Sequence, residues 1–135
     1  MSLVERMKIL IVDGAPQIRL RLAALITEIM DADQISMVSK LKTAIQAVRN
    51  NPPEIIVMDL KLRDGNSIDM IPALKQQAPD AHIAILTNDS SDIYRRRCLQ
   101  SGVDSFFDKS SEFDELLALI IAKLQNQNDG VPNGQ

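Results

Sequence analysis

The chain has 135 residues, enough for one domain with a buried core, because about 150 residues already hide roughly two thirds of the unfolded surface. With 45% hydrophobic and 24% charged residues, it lies outside the low-hydrophobicity, high-charge regime in which chains stay disordered. Its 18 acids against 15 bases give a net charge of −3, so no global positive field draws in a phosphate backbone, and nucleic acid is not expected as a direct partner.

The amino end, MSLVERMKIL, has too short an apolar core for a secretion signal, and residues 1–7 read as an extension ahead of the domain. No apolar stretch reaches the roughly 20 residues of a membrane span, so a membrane is not expected as a partner. KILIV then reads as a first strand, stopping on Asp13 and followed at once by Gly14. Segment 16–30 places Ile18, Leu22, Leu25, Ile26 and Ile29 at helical spacing, with Pro16 where a first-turn residue needs no N–H.

The alternation continues with QISMV before a helix at 40–50, EIIVM before 68–77, HIAIL before 92–101, and SFF before 112–127. Gly102 suits a left-handed stop for the fourth helix. Ser110 or Ser111 is the expected cap of the fifth, with Glu112, Asp114 and Glu115 facing its dipole. Continuously apolar strands such as EIIVM and HIAIL imply a parallel sheet covered on both faces. Right-handed crossovers make that a doubly wound α/β sandwich whose site lies at the carboxyl ends of the strands. The domain is expected over 8–125, with 126–135, rich in Asn, Gln and Gly, as a flexible tail.

The strand tips carry Asp13, Asp59 and Thr87, with Lys109 just beyond the fifth strand. A carboxylate can attack phosphorus to form an acyl phosphate while a second helps hold Mg²⁺. A hydroxyl and an ammonium can bind the oxygens of the transferred group, since phosphoryl transfer is mostly positioning and charge neutralisation. Read singly, these residues have ordinary uses: Asp13 as a helix cap, Thr87 as a β-former, Lys109 as a surface charge. Cys98 reads as a small core residue and His82 as a structural strand opener. One cysteine and one histidine offer neither an internal disulfide nor a zinc ligand set, which fits a reducing, cytoplasmic setting. Phe106 and Phe107, adjacent in a strand, should face opposite layers.

KILIVDGAP, IIVMDLKLRDGNS, IAILTN and GVDSFFDKS together resemble the receiver domains of two-component response regulators, from Lys8 to about Gln125. The resemblance implies a flavodoxin-like fold, strand order 2-1-3-4-5 with five helices, and a signalling domain rather than an enzyme. It implies phosphorylation of Asp59 by a phosphohistidine on a sensor histidine kinase or phosphotransfer protein. Thr87 and Lys109 would contact the phosphoryl group, and Phe106 would be the aromatic that turns inward when Thr87 moves. Mg²⁺ would be held by Asp13, Asp59 and the backbone carbonyl of Lys61. The fourth helix, fifth strand and fifth helix would form the face for a downstream protein or a homodimer, with Tyr94 and the Arg95-Arg96-Arg97 tract as contacts. The target would bind noncovalently, or the chain would be a piece of a longer regulator.

The pattern is broken in places. Gly14 stands where relatives have a second acid, so Mg²⁺ is expected to bind more weakly. Repulsion around Asp59 is also reduced, since unit charges about 4 Å apart interact by about 4 kcal/mol at an effective dielectric of about 20. Lys61 either places its ammonium near Asp59, partly replacing the cation, or points into water. Arg63 and Ser67 replace a common proline and glycine, Asn88 replaces a smaller residue and would narrow the path of attacking water, and Ser110 replaces a proline often joined by a cis bond. Whether the Lys109–Ser110 bond is cis stays open. A second reading, supported by Gly14 and opposed by Asp59, Thr87 and Lys109, is a degenerate receiver that binds partners without being phosphorylated.

Overall fold

A computed structural model describes residues 7–129. The strands and helices follow in the order β1 (Ile9–Val12), α1 (Pro16–Ile26), β2 (Ile35–Val38), α2 (Leu41–Asn50), β3 (Ile55–Met58), β4 (Lys61–Leu62), β5 (Gly65–Asn66), α3 (Ser67–Gln77), β6 (His82–Thr87), α4 (Asp92–Gln100), β7 (Ser105–Asp108) and α5 (Phe113–Asp129). The main sheet is five-stranded, in the order β2-β1-β3-β6-β7, and every pairing in it is parallel. Without the small antiparallel β4–β5 ribbon this is the expected 2-1-3-4-5 arrangement.

Alternation along the strands divides the core into two layers. Ile9, Ile11, Ile55, Val57, Ala84 and Leu86 pack against Leu22 and Ile26 of α1 and Leu116 and Ile120 of α5. Their neighbours Leu10, Val12, Ile56, Met58, Ile83 and Ile85 pack against α2, α3 and α4 through Ala44, Val48, Ile71, Leu74 and Cys98. Each such side chain removed from water contributes about 1.5–3 kcal/mol, which explains why β3 is buried along its whole length. β2, at the edge, is only half covered. Phe106 and Phe107 fall in opposite layers, as adjacent strand residues must.

Helix ends differ from the sequence expectation most at α1 and α5. α1 stops at Ile26 rather than continuing to residue 30, because Glu28 and Ile29 tighten into bonds to Leu25 and Ile26 carbonyls three residues back. α5 runs to Asp129, two residues past the expected helix end at 127. Of the expected tail at 126–135, residues 126–129 continue α5, and residues 130–135, like residues 1–6 of the expected extension, lie outside the described residues. Neither Ser110 nor Ser111 caps α5. The Asp108 carboxylate instead takes the amides of both serines, at 2.7 and 3.1 Å, and holds them in the turn that precedes the helix. Pro16 does open α1, and Gly102, at φ +107°, ends α4 in the left-handed region as expected.

Candidate functional site at the carboxyl rim of the sheet

The rim is built by strand ends that cannot slip without turning their apolar sets out of the core. The Asp13 amide donates to Val38 of β2 at 3.1 Å, and the Asp59 amide to Val12 of β1 at 2.9 Å. The Lys109 amide donates to Thr87 at 2.9 Å, tying the end of β7 to the end of β6. These bonds bring together side chains that are 46 and 50 residues apart in sequence.

At the centre is Lys109. Its Nζ lies 2.8 Å from Oδ2 of Asp13 and 2.8 Å from Oδ2 of Asp59. Burial opposes charge on the ammonium, but its hydrogen bonds to Asp13 and Asp59 outweigh it and hold the Lys109 pKa above its ordinary value. Asp13 is buried and Asp59 half-buried. The second Asp13 oxygen accepts the Ala15 amide at 2.9 Å, so this residue is both a local turn former and a member of the cluster. The second Asp59 oxygen accepts the Leu60 amide at 2.7 Å.

Thr87, also buried, stands at the tip of β6, and its hydroxyl accepts the Asp89 amide at 3.1 Å. Lys61 does not reach Asp59: its ammonium pairs with Asp89 at 3.1 Å and lies 5.2 Å from the centre of the Tyr94 ring. The hydrogen bond that Lys61 donates to Asp89 raises the Lys61 pKa. Lys61 therefore neither compensates Gly14 at Asp59 nor simply points into water. The Lys109–Ser110 bond is trans, with no cis peptide among the described residues.

Several contributors were not legible in advance. Ser67 is fully buried, its hydroxyl donating to the Asp59 carbonyl and its amide to Leu60 at 2.8 Å, so Ser67 fixes the loop that follows Asp59. Asp64 caps α2 from a distance of 23 residues, accepting the amides of Leu41 and Lys42. Those amides hold its carboxyl below the usual carboxylate range. Arg95 lies 4.8 Å from the Phe106 ring centre and donates to the Phe106 carbonyl at 3.2 Å and to Glu112 at 3.3 Å. Of the arginine tract, Arg95 thus holds Phe106, while Arg96 and Arg97 are exposed. Only the Asp-Gly turn signal at 64–65 hinted at one of these roles.

Two carboxylates converging on one point are hard oxygen donors of the kind Mg²⁺ accepts, with waters completing its shell. No group of three or more His, Cys, Asp or Glu side chains suited to a metal occurs among the described residues. Gly14 contributes no side-chain donor on this side of the site. A Cβ there would meet only the Ser39 carbonyl at 4.0 Å, so neither space nor backbone geometry requires the glycine. Cys98 is buried in the core, where burial pushes its thiol up. His82 bonds Ser105 Oγ at 2.9 Å as a structural residue.

A five-stranded parallel sheet with an Asp–Asp–Lys cluster at its carboxyl rim defines a receiver-type signalling domain, and the response regulator receiver domain family matches residues 9–121. The chain belongs to that family of two-component signal transduction proteins. Among curated relatives it is 26% identical over 121 residues to the response regulator protein VraR of Staphylococcus saprophyticus, covering 90% of this chain and 58% of VraR. It is 29% identical over 113 residues to a putative transcriptional regulator of Pseudomonas aeruginosa, covering 82% of this chain and 53% of the relative. The chain thus spans a little over half the length of these relatives. Among solved structures, the fold matches a Burkholderia pseudomallei response regulator crystallised with a phosphorylated aspartic acid, calcium ion and citrate (TM-score 0.76, 22% identity, 91% of this chain and 69% of that one). It also matches the beryllofluoride-activated NtrC4 receiver domain dimer (TM-score 0.77, 21% identity, 89% and 98%). No helix among the described residues is long and apolar enough to cross a membrane.

Proposed function

We propose that this domain accepts a phosphoryl group on Asp59 from a phosphohistidine donor on a sensor histidine kinase or phosphotransfer protein. The observation that carries the reading is the double ion pair of Lys109 with Asp13 and Asp59, 2.8 Å on each side. In the transfer, an Asp59 carboxylate oxygen bonds to phosphorus, the phosphorus–nitrogen bond of the donor breaks, and the imidazole leaves with that electron pair and takes up a proton. Lys109 is already beside the oxygen that would carry the group, so its charge is in place when the phosphoryl group arrives. Thr87 supplies a hydroxyl from the neighbouring strand tip. Asp13, Asp59 and the Lys61 carbonyl would hold Mg²⁺, which when bound neutralises charge on the phosphoryl oxygens.

The response is a population shift. A phosphoryl group draws Thr87 and Lys109 toward it, Phe106 moves into the space Thr87 leaves, and the face formed by α4, β7 and α5 changes its affinity for a downstream protein or a second copy. Arg95, bonded to the Phe106 carbonyl, passes that movement to α4. The domain acts in the cytoplasm as a signalling element and assists only its own phosphorylation and dephosphorylation. The domain over 8–125 is the unit proposed for this role.

Mass spectrometry after incubation with acetyl phosphate or a phosphorylated histidine kinase tests the reading. A single added phosphoryl group is expected on the wild-type chain and none on Asp59→Asn. A folded wild-type chain that stays unmodified under both donors overturns it and leaves an interaction module.

A further inference from the structure

At the β1–β2 end of the rim the charge reverses sign. A cavity of about 200 Å³ is lined by Gly14, Arg19, Ser39, Lys40 and Arg63. Its cations arrive from three separate segments: Arg19 from α1, Lys40 from the residue ahead of α2, and Arg63 from the β4–β5 turn. Drawing like charges together is unfavourable, by about 1 kcal/mol for a pair about 4 Å apart even in bulk water. Three basic residues lining one cavity make a local concentration that a chain of net charge −3 does not impose.

The neighbouring acids do not discharge this corner. Asp13 directs its carboxylate to Lys109 and the Ala15 amide and offers Arg19 only its backbone carbonyl, at 2.6 Å from Nη1. That bond fixes the guanidinium at the cavity wall, and among the described residues its other donors make no hydrogen bond. Asp64 turns to the Leu41 and Lys42 amides at 2.9 and 3.1 Å, attracting Lys40 only through space. Among the described residues no ion pair joins Arg19, Lys40 or Arg63 to an acid. Gly14 keeps the floor open, since a side chain there would enter free space rather than a packed wall.

We propose that this corner binds a phosphate dianion, free or as the head group of a small phosphomonoester, at a site separate from the Asp59 carboxylate. The volume is below the roughly 300–1,000 Å³ of pockets that enclose whole small ligands, so it takes the anionic head and leaves the rest outside. Two guanidinium forks match tetrahedral oxyanions by paired hydrogen bonds, and Lys40 and the Ser39 hydroxyl add donors. A monocarboxylate has one charge to set against three cations, whereas a phosphate dianion has two and more acceptor oxygens. The inference does not depend on phosphorylation of Asp59.

The test is a titration of ¹⁵N-labelled protein with inorganic phosphate, with glycerol phosphate and with acetate, at ionic strength held constant with sodium chloride. Saturable shifts are expected at the Gly14, Ser39, Lys40 and Arg63 amides with one or both phosphate probes, with acetate binding at least about ten-fold more weakly. A response to inorganic phosphate alone assigns the site to the free ion, and a response to the ester as well assigns it to the head group. The Lys40→Gln/Arg63→Gln variant changes two exposed side chains and is expected to weaken phosphate binding about ten-fold or more while core amides keep their positions. The shifts should persist in Asp59→Asn, which separates this site from the acceptor. Equal binding of acetate, shifts that follow chloride alone, an undiminished response in the double variant, or loss of the shifts in Asp59→Asn would overturn the proposal.

Discussion

The two halves of the rim, only a strand apart, handle charge in opposite ways. On the β3–β6–β7 side, and across to Asp13 at the tip of β1, the charged groups of the site are paired: Lys109 with Asp13 and Asp59, Lys61 with Asp89, Arg95 with Glu112. Asp108 extends the circuit, its carboxylate accepting from Ser90 and from the amides of Ser110 and Ser111 while its own amide donates to Glu112 at 2.8 Å. On the β1–β2 side, Arg19, Lys40 and Arg63 gather around Gly14 with no ion pair to an acid among the described residues. A paired circuit stores a response, because moving one member disturbs defined bonds. An unpaired cluster of one sign waits for an external counter-charge.

The largest break in this contrast comes from Lys109→Met. It leaves two carboxylates facing each other in a poorly hydrated cleft, and the loss of a shared buried partner is expected to cost about 3 kcal/mol in urea denaturation. Phosphorylation of Asp59 should fall in the same variant. Asp59→Asn should cost much less, because Asp13 still pairs with Lys109.

Next in size is Gly14→Asp, which puts an acid between the two halves at a position with room for it. Isothermal titration calorimetry is expected to show Mg²⁺ binding tighter by about ten-fold, since ligand charge and number set affinity for hard cations. The same variant should weaken phosphate at the basic corner. An unchanged Mg²⁺ affinity would show that the missing acid is not what limits the metal.

Smaller again is Ser67→Ala. It leaves the Asp59 carbonyl without the buried Ser67 hydroxyl, at an expected cost of about 1 kcal/mol, and the amide resonances of Leu60 and Lys61 should broaden as the loop after Asp59 loosens.

The smallest effect is a pH dependence at the start of β6, away from both halves. Burial and then the charge of Lys123 lower the His82 pKa below its ordinary value. The folded chain therefore resists protonating His82 more than the unfolded chain does. Its contribution to stability is complete above the unfolded value of about 6.5 and is lost as pH falls through the lower folded value. Urea midpoints from pH 7 to 5 should decline in wild type and decline less in His82→Asn.

The amino-acid order alone determined which residues end the strands. Continuous β-branched runs demand cover on both faces, a parallel sheet then aligns their carboxyl ends, and Asp13, Asp59, Thr87 and Lys109 follow as rim residues from a period that is local and regular. Pro16 and Gly102 were legible for the same reason, since each fixes a backbone angle by its own chemistry. What only the tertiary structure decided was the partner of each flexible charged side chain. Lys61 could have reached Asp59 and instead meets Asp89; Asp64 caps a helix that begins 23 residues earlier; Asp108 takes the amides of two serines expected to cap α5. Arg95 leaves its tract to cover Phe106, and three cations from three separate segments share one cavity. Long side chains choose among several acids within reach, and that choice depends on distances created by the folded sheet, which no sequence period encodes.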